Sequence, residues 1–394
     1  MAAALSPAFV LRKGAMTVEI RRHTPGGDTA DFVRAGHEIF RGDPAWIAPL
    51  QMMIGDRLDP KKDPFHRHAE VILFTAWKEG RLVGRTSATV DRAWLDTWKD
   101  DTGHFGYFDT IDDVEVARAL IGEAETWLKA QGMKRMNGPM SLSANQEVGL
   151  LVDGFAHPPV LDMAHSRSYQ GALAEASGLV KEKDLFAWRY ETKQGFNTRT
   201  EKAWQRLAET KEVRLRSVNL RKLRAELDLI MEIYNETWSG KWGYVPISSA
   251  ELDKMAADMS LVLDPDMAFI AEVDGKAAGM CITVPNLNEV IGDLGGKLFP
   301  LGWAKLLWRT KVKHPASARL ILLGVREAIR RNVKRYGFLS AAMYVEVAKR
   351  GRDKGYQWAE LSWTREDDAP INLGIRSMGA AVYKTYRVYE KRIA

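Results

Sequence analysis

Phe74-Thr-Ala-Trp-Lys-Glu-Gly80-Arg-Leu-Val-Gly84 and, 195 residues later, Phe269-Ile-Ala-Glu-Val-Asp-Gly275-Lys-Ala-Ala-Gly279 carry Phe, Ala, Gly and Gly at the same spacings. In both, alternating apolar residues run into Glu-Gly or Asp-Gly, a pair that accepts φ > 0, and a second strand follows over 82–90 or 277–284. Each reads as a β-hairpin. A repeat near half the chain implies a duplicated domain, not a solenoid.

The flanks repeat too. Helical patterns that end in aromatic loops precede the hairpins, over 32–49 and 227–246, with Ile39-Phe40…Trp46…Pro49 parallel to Ile233-Tyr234…Trp242…Pro246. Each hairpin is followed by a helix (114–131 or 338–354) and a short strand (133–136 or 357–363). A second helix, stopped by Gly178 or Gly379, then leads into an alternating strand (185–190 or 382–389). In the first of these helices Val116, Leu120, Ala124, Trp127 and Leu128 recur at three/four spacing. Hairpins together with helical crossovers predict an α/β fold with a mixed sheet. The expected division is a tail over 1–15, a first domain over 16–191, a linker over 192–211 and a second domain over 212–394.

A chain of 394 residues exceeds what one hydrophobic core organises, in agreement with two domains. Hydrophobic residues at 46% and charged ones at 27% exclude extended disorder and fibrous classes. The lone cysteine, Cys281, cannot form an internal disulfide, and no Cys/His cluster has metal-ligand spacing, so no metal is expected and a reducing cytoplasm fits. Cys281 stands mid-strand between Met280 and Ile282 and reads as a core thiol. The balance of 57 basic against 51 acidic residues, net +6, suits polyanions such as phosphate groups, anionic lipid or nucleic acid, and does not choose among them. No stretch approaches the roughly 18 apolar residues of a membrane span, and the start lacks the basic region of a signal peptide.

The succession Tyr234-Asn235-Glu236-Thr237-Trp238…Trp242-Gly243-Tyr244-Val245-Pro246, the strand Leu320-Ile-Leu-Leu-Gly324-Val325 followed by basic residues, and the closing Leu361-Ser-Trp363…Gly379…Tyr383-Lys384-Thr385-Tyr386-Arg387-Val388-Tyr389 resemble bacterial tandem acyltransferases of the GNAT superfamily. The first half adds Thr102-Gly103-His104-Phe105-Gly106-Tyr107-Phe108 and Gly138-Pro139…Ser143…Asn145…Glu147…Asp153-Gly154. The likeness covers nearly the whole chain from Met16, and the branch it is most similar to includes the bacterial ceramide synthases. It implies two tandem GNAT-like domains and an acyl-CoA co-substrate. It further implies transfer of a long-chain acyl group to the amine of a sphingoid base, sphinganine or its 3-keto form, by direct attack on the thioester.

Such an enzyme must hold a pyrophosphate, which the superfamily does on a strand, a glycine-containing loop and a helix N-terminus. The matching stretch is Leu323-Gly324-Val325 and the residues up to Gly337, but it departs from the family pattern of Arg/Gln-x-x-Gly-x-Gly/Ala. Counted from Arg330, the glycine positions hold Val333 and Arg335. Either Gly337 restores backbone approach in a longer loop, or Arg330, Arg331, Lys334 and Arg335 grip phosphate with side-chain charge.

On the acceptor side, Ser143, Asn145, Glu147 and Asp153 occupy a Gly/Pro-flanked loop after a strand, where chemistry tends to sit. The amine must be neutral to attack, so a carboxylate has to take its proton: Glu147 first, Asp153 second. The departing thiolate needs a proton, for which Tyr386 stands ahead of Tyr383 and Tyr389, and a backbone N–H at Gly324 or Val325 would serve the oxyanion. His165 and Tyr169 are expected to line the acceptor pocket, and the family likeness adds Asn235, Trp238 and Trp242. After Phe108 the first half has Asp109, Asp112 and Asp113 in place of a basic loop, which assigns that half to the acceptor and the scaffold.

A basic amphipathic insertion over 294–315 completes the reading. If helical from Leu301, it aligns Lys305, Arg309 and Lys313 on one stripe and leaves Leu301, Trp303, Ala304, Leu307, Trp308 and Val312 on the rest, the profile of a helix on an anionic membrane surface. The other reading of the insertion is a helix packed on the domain, lining an acyl tunnel or part of the core. The expected location is the cytoplasm, with residues 297–313 docking at the inner membrane under the first reading. The competing readings are a tandem aminoacyl transferase that uses charged tRNA, and a degenerate pair that only binds lipid or nucleic acid; the first normally carries a coiled-coil arm, and no sustained heptads occur here. No nucleic-acid partner is expected.

Overall fold

Both hairpin turns place two successive residues in the left-handed region, Glu79 (φ 53°) and Gly80 (φ 73°) in one, Asp274 (φ 50°) and Gly275 (φ 75°) in the other. This geometry matches the right-handed twist of paired strands. Each hairpin also carries one extra residue at the same place: pairing steps past Val83 in the first and past Ala278 in the second. Those two residues stand at the same offset as the sequence repeat, so the duplication extends to a β-bulge.

The computed structural model describes residues 17–260, 263–298, 302–309 and 315–393; the 1–15 tail lies outside them. The first half contains β1 (Glu19–His23), α1 (Ala30–Ile39), α2 (Gln51–Arg57), β2 (Ala69–Lys78), β3 (Arg81–Asp91), α3 (Arg92–Trp98), β4 (Thr102–Thr110), α4 (Val114–Ala130), β5 (Arg135–Gly138), β6 (Leu150–Asp153), α5 (Gln170–Ala176) and β7 (Val180–Glu191). The second half opens with α6 (Thr198–Glu209), β8 (Val213–Ser217), α7 (Leu223–Trp238), α8 (Ser249–Met259), β9 (Ala268–Val273) and β10 (Lys276–Pro285). It continues with α9 (Asn288–Ile291), α10 (Gly302–Trp308), β11 (Ser317–Val325), α11 (Glu327–Arg331), α12 (Val333–Tyr336), α13 (Leu339–Asp353), β12 (Trp358–Arg365), α14 (Ala369–Ser377) and β13 (Ala381–Arg392).

The thirteen strands of the described residues form one sheet, in the order β1-β2-β3-β4-β5-β13-β7-β12-β11-β10-β9-β8, with β6 also on β13. The β4–β5 and β11–β12 pairs are parallel and the rest antiparallel, the mixed sheet expected. The centre is an exchange: β13 pairs with β5 of the first half, β7 pairs with β12 of the second, and the two exchanged strands pair with each other. Residues 192–211, read as a linker, instead hold α6. Asn197 caps it by accepting from the Thr200 amide, and Ala203 and Leu207 pack against the second core.

One face of the sheet carries α4 and α5 in the first half and α13 in the second. The predicted stripe Val116, Leu120, Ala124 and Leu128 is buried, and Asp113 caps α4 by accepting from the Glu115 and Val116 amides. Full burial of a side chain such as Leu120 contributes about 2 to 3 kcal/mol. The opposite face is covered by α1 and α2 over one half and α7 and α8 over the other. Between these pairs lies a central cluster that includes Trp94, Met140, Leu151, Val160, Tyr386 and Val388. Cys281 is a buried core thiol, its pKa pushed up to about 12 by burial. No described helix is long and apolar enough to cross a membrane.

Candidate active site

The parallel strands β11 and β12 pair over only four residues, Ser317–Leu320 against Trp358–Leu361, and then part. A bulge at Ile321 lies where they separate. Beyond it, among the described residues, the peptide groups of β11 that point away from β10 have no partner strand. Leu323, Gly324 and Val325 line this opening, and Gly324 is required there, since a Cβ would come within 2.7 Å of the Trp238 indole.

The corresponding opening in the first half is closed by its own chain. After β4 and β5 pair over Thr102–His104 and Arg135–Asn137, the Met140 amide donates to Phe105 O at 2.7 Å. A Cβ on Gly106 would stand 2.0 Å from Met140 O. Among the described residues one split is thus open, in the second half.

The expected phosphate-binding stretch forms two short helices, α11 and α12, in place of a loop. At its entrance Arg326 is folded onto Glu232 and Glu236, and the Glu327 amide donates to Glu236 (2.9 Å). Arg330, Arg331, Lys334 and Arg335 are all exposed, but they do not converge. Arg331 pairs with Glu327 (2.6 Å) within α11, and Arg335 turns to Glu212 (3.0 Å) near the sheet edge. Gly337 closes a helical junction, where a Cβ would meet Val333 O at 2.5 Å. The following helix, α13, has no side-chain cap at its N-terminus.

On the face covered by α1, α2, α7 and α8, a polar layer lies against the mouth of the open split. From the first half, Arg57 at the end of α2 reaches Asp162 (2.7 Å) and Glu147 (3.7 Å). Burial raises the proton affinity of Glu147, against the opposing charge of Arg57. From the second half, Arg319 donates to Ser362 Oγ (3.1 Å) and to Leu161 O (2.7 Å), fastening the first half's loop over the split. Glu360 accepts from both Ser362 Oγ and Tyr383 Oη. Lys384, 0% exposed like Glu360, donates to Pro158 O (2.7 Å) and stands 4.0 Å from Glu360. Burial brings its ammonium down to about 8, although Glu360 pulls the other way.

Tyr386 lies two residues on along β13. Its hydroxyl is fully buried without a partner, and burial, reinforced by the Glu360 charge, keeps it protonated. The loop that carries Glu147 lies against this residue: a Cβ on Gly149 would come within 2.9 Å of Tyr386 Cβ. Tyr107 reaches the layer as well: its buried hydroxyl is also unpartnered and is pushed up to about 12.

The other sequence candidates divide. Asn145 donates to Val245 O (3.2 Å) and joins the halves at the rim. Trp242 donates to Glu182 (2.9 Å) and its ring meets Trp363 beside Ser362. His165 is buried, with Nε2 3.1 Å from Asp43 and Nδ1 without a partner; burial lowers its pKa in spite of Asp43. Asn235 accepts from Tyr244 Oη (2.8 Å), next to Trp238, which stacks on Tyr234. Asp153 is exposed at the end of β6. Tyr169 stands apart: its hydroxyl donates to Thr110 O (2.9 Å) and its ring packs into the core under α4, on the other face of the sheet.

Sequence reasoning missed Arg57, Asp162, Arg319, Glu360, Ser362 and Lys384. For Lys384 a signal existed, since it shares strand parity with Tyr386 and Val388 and so had to point inward. In the 294–315 insertion, Lys305 (3.6 Å) and Arg309 both pair with Asp293, the residue just before it. The ion pair with Arg309 holds Asp293 well below the usual carboxylate range. Trp303 and Trp308 are 50% and 57% exposed. Leu301, Val312, Lys313 and the Leu307 side chain lie outside the described residues.

No family model matches the chain. It is 37% identical over 383 residues to Protein YghO of Escherichia coli (strain K12), covering 95% of each. It is 40% identical over 363 residues to Bacterial ceramide synthase of Caulobacter vibrioides (strain NA1000 / CB15N), covering 92% of this chain and 94% of the relative. Among solved structures it resembles a tandem GNAT protein from the clavulanic acid biosynthesis pathway, with TM-score 0.59, 11% identity and coverage of 96% and 99%, a likeness of fold.

Proposed function

The chain belongs to the family of the bacterial ceramide synthase, and from that premise we propose that it is an acyl-CoA-dependent N-acyltransferase that acylates the amine of a sphingoid base, sphinganine or its 3-keto form. The observation that carries this reading is the split between β11 and β12, which opens onto a layer holding Glu147 and Tyr386. A thioester lying in the split would present its carbonyl to the free peptide groups of β11, near Gly324 and Val325, where a backbone N–H stabilises the oxyanion. The uncapped N-terminus of α13, with Arg330 and Lys334 exposed ahead of it, suits the pyrophosphate. Arg331 and Arg335 are engaged elsewhere and contribute less.

In the reaction, Glu147 takes a proton from the ammonium, and its raised proton affinity suits a base working near neutrality. The amine nitrogen attacks the thioester carbon, the C–N bond forms, the C–S bond breaks, and the thiolate takes the Tyr386 hydroxyl proton; the second proton lost by the nitrogen restores the Tyr386 hydroxyl, and Glu147 releases its own proton to solvent. Trp242, Asn145 and His165 border the acceptor side. The exposed Trp303 and Trp308 of α10 support docking of this face on an anionic bilayer, from which a long-chain amine enters.

The test is mass spectrometry after incubating the protein with palmitoyl-CoA and sphinganine or its 3-keto form. An amide product is expected. Absence of product across several acyl-chain lengths, in a preparation that CoA protects against thermal unfolding, removes the sphingoid acceptor and leaves acyl-CoA binding standing.

A further inference from the structure

Tyr107 combines two unusual properties. Its backbone is in the left-handed region (φ 48°), which a bulky aromatic residue rarely adopts and which neighbouring structure must enforce. The cause is a bulge in β4: pairing with β3 jumps from Arg85–Asp109 to Ser87–Gly106. The bulge turns the ring to the face covered by α1 and α2, edge-on to Phe32 (5.4 Å between centroids) and beside the Arg85 guanidinium (5.2 Å). At its far end the hydroxyl is buried with no hydrogen-bond partner, in the cluster that holds Ile54 and Leu58 on either side of Arg57, whose guanidinium stands 3.7 Å from Glu147.

A buried hydroxyl without a partner costs stability, on top of the backbone cost of holding the ring there. Packing alone would be served better by phenylalanine. What the position lacks is a ligand that donates to the hydroxyl oxygen next to the Glu147 carboxylate. A primary amine is such a group: once Glu147 has taken one proton, two N–H donors and the attacking lone pair remain. We propose that Tyr107 is a substrate-binding residue whose Oη accepts an N–H of the acceptor amine, and so turns the nitrogen lone pair toward the thioester in the split. This rests on the acyltransfer reading above. It gives the first half, whose own split is closed, a direct part in the chemistry.

The experiment is steady-state kinetics of Tyr107→Phe with palmitoyl-CoA and sphinganine, alongside thermal unfolding. Because the hydroxyl has no partner in the free protein, its removal leaves the unfolding midpoint unchanged or higher. The KM for the amine is expected to rise about tenfold while the KM for palmitoyl-CoA stays constant. An amine kcat/KM within about twofold of the parent overturns the proposal, as does an equal loss toward both substrates. If the parent protein itself makes no amide, the acyltransfer reading has failed; an active parent with an indifferent variant sinks Tyr107 alone.

Discussion

Replacing Lys384 with methionine tests whether the polar layer is as dry as its burial implies. The ammonium is 0% exposed and stands 4.0 Å from Glu360. At that separation and an effective dielectric of about 20, the attraction is about 4 kcal/mol. Burial outweighs it and lowers the pKa from 10.5 to about 8, a gap worth about 3 kcal/mol. The sign follows from proton counting. Well below pH 8 folded and unfolded chains both hold the proton, so the difference in stability between parent and variant is flat. Between about 8 and 10.5 the folded lysine is neutral while the unfolded one still binds its proton, so the parent gains stability with rising pH relative to Lys384→Met. The relative gain is about 1.4 kcal/mol by pH about 9 and about 3 kcal/mol near the top of the window. Urea unfolding of both proteins from pH about 7 to about 9.5 measures it. A parent–variant difference that stays constant over that range would mean the ammonium is hydrated, and the layer would then be a wet channel.

Glu147→Gln should lower kcat by roughly a hundredfold or more without changing the unfolding midpoint. In the parent, kcat/KM should fall as pH drops through a value above the ordinary carboxylate range, because the base works only when ionised; an acid limb at the usual carboxylate value speaks against Glu147. Tyr386→Phe removes a buried hydroxyl that has no partner, so stability should rise by about 1 kcal/mol while kcat falls. Full activity in that variant would exclude Tyr386 as the proton donor. Alanine at both Trp303 and Trp308 should weaken sedimentation with anionic vesicles, and more than Arg309→Ala does, since Arg309 is already paired with Asp293. Equal binding by the double variant would exclude α10 as the anchor.

The parts of the fold legible in the sequence are those fixed by local rules. Glu79-Gly80 and Asp274-Gly275 announce their turns because two adjacent residues had to accept positive φ, and α4 shows its buried stripe at helical spacing. The exchange of β7 and β13 left no trace, because a strand's alternation states which face is buried and not which strand lies beside it. The same limit governed the site. Glu147 and Tyr386 could be singled out as a carboxylate in a polar loop and an aromatic on a strand, but their meeting depends on β13 lying next to β5 and β6. Arg319 and Glu360 look like ordinary surface charges until the fold buries them, and Arg57 and Asp162 until it pairs them. The basic run near Arg330 misled in the opposite sense: side chains close in sequence were expected to act together, whereas Glu327 and Glu212 draw two of them apart.

The exchange also explains why one open split needs two halves. Lys384 and Tyr386 belong to the second half by sequence, yet they sit on a strand walled by β5, β6 and β7 of the first. Glu147 and Asp162 belong to the first half, yet Arg57 joins them and Arg319 ties the loop of Asp162 across the second half's opening. Neither half alone would pair the inner edge of its sheet: without β13, β5 becomes an exposed edge, and without β7 so does β12. Closure of the first half's own split by Met140 therefore removes a second thioester position without dismantling the scaffold. It also frees the loop that follows, residues 141–149, to carry Glu147 into the polar layer beside the remaining split. Duplication supplied two equivalent clefts, and filling one of them made the wall of the other.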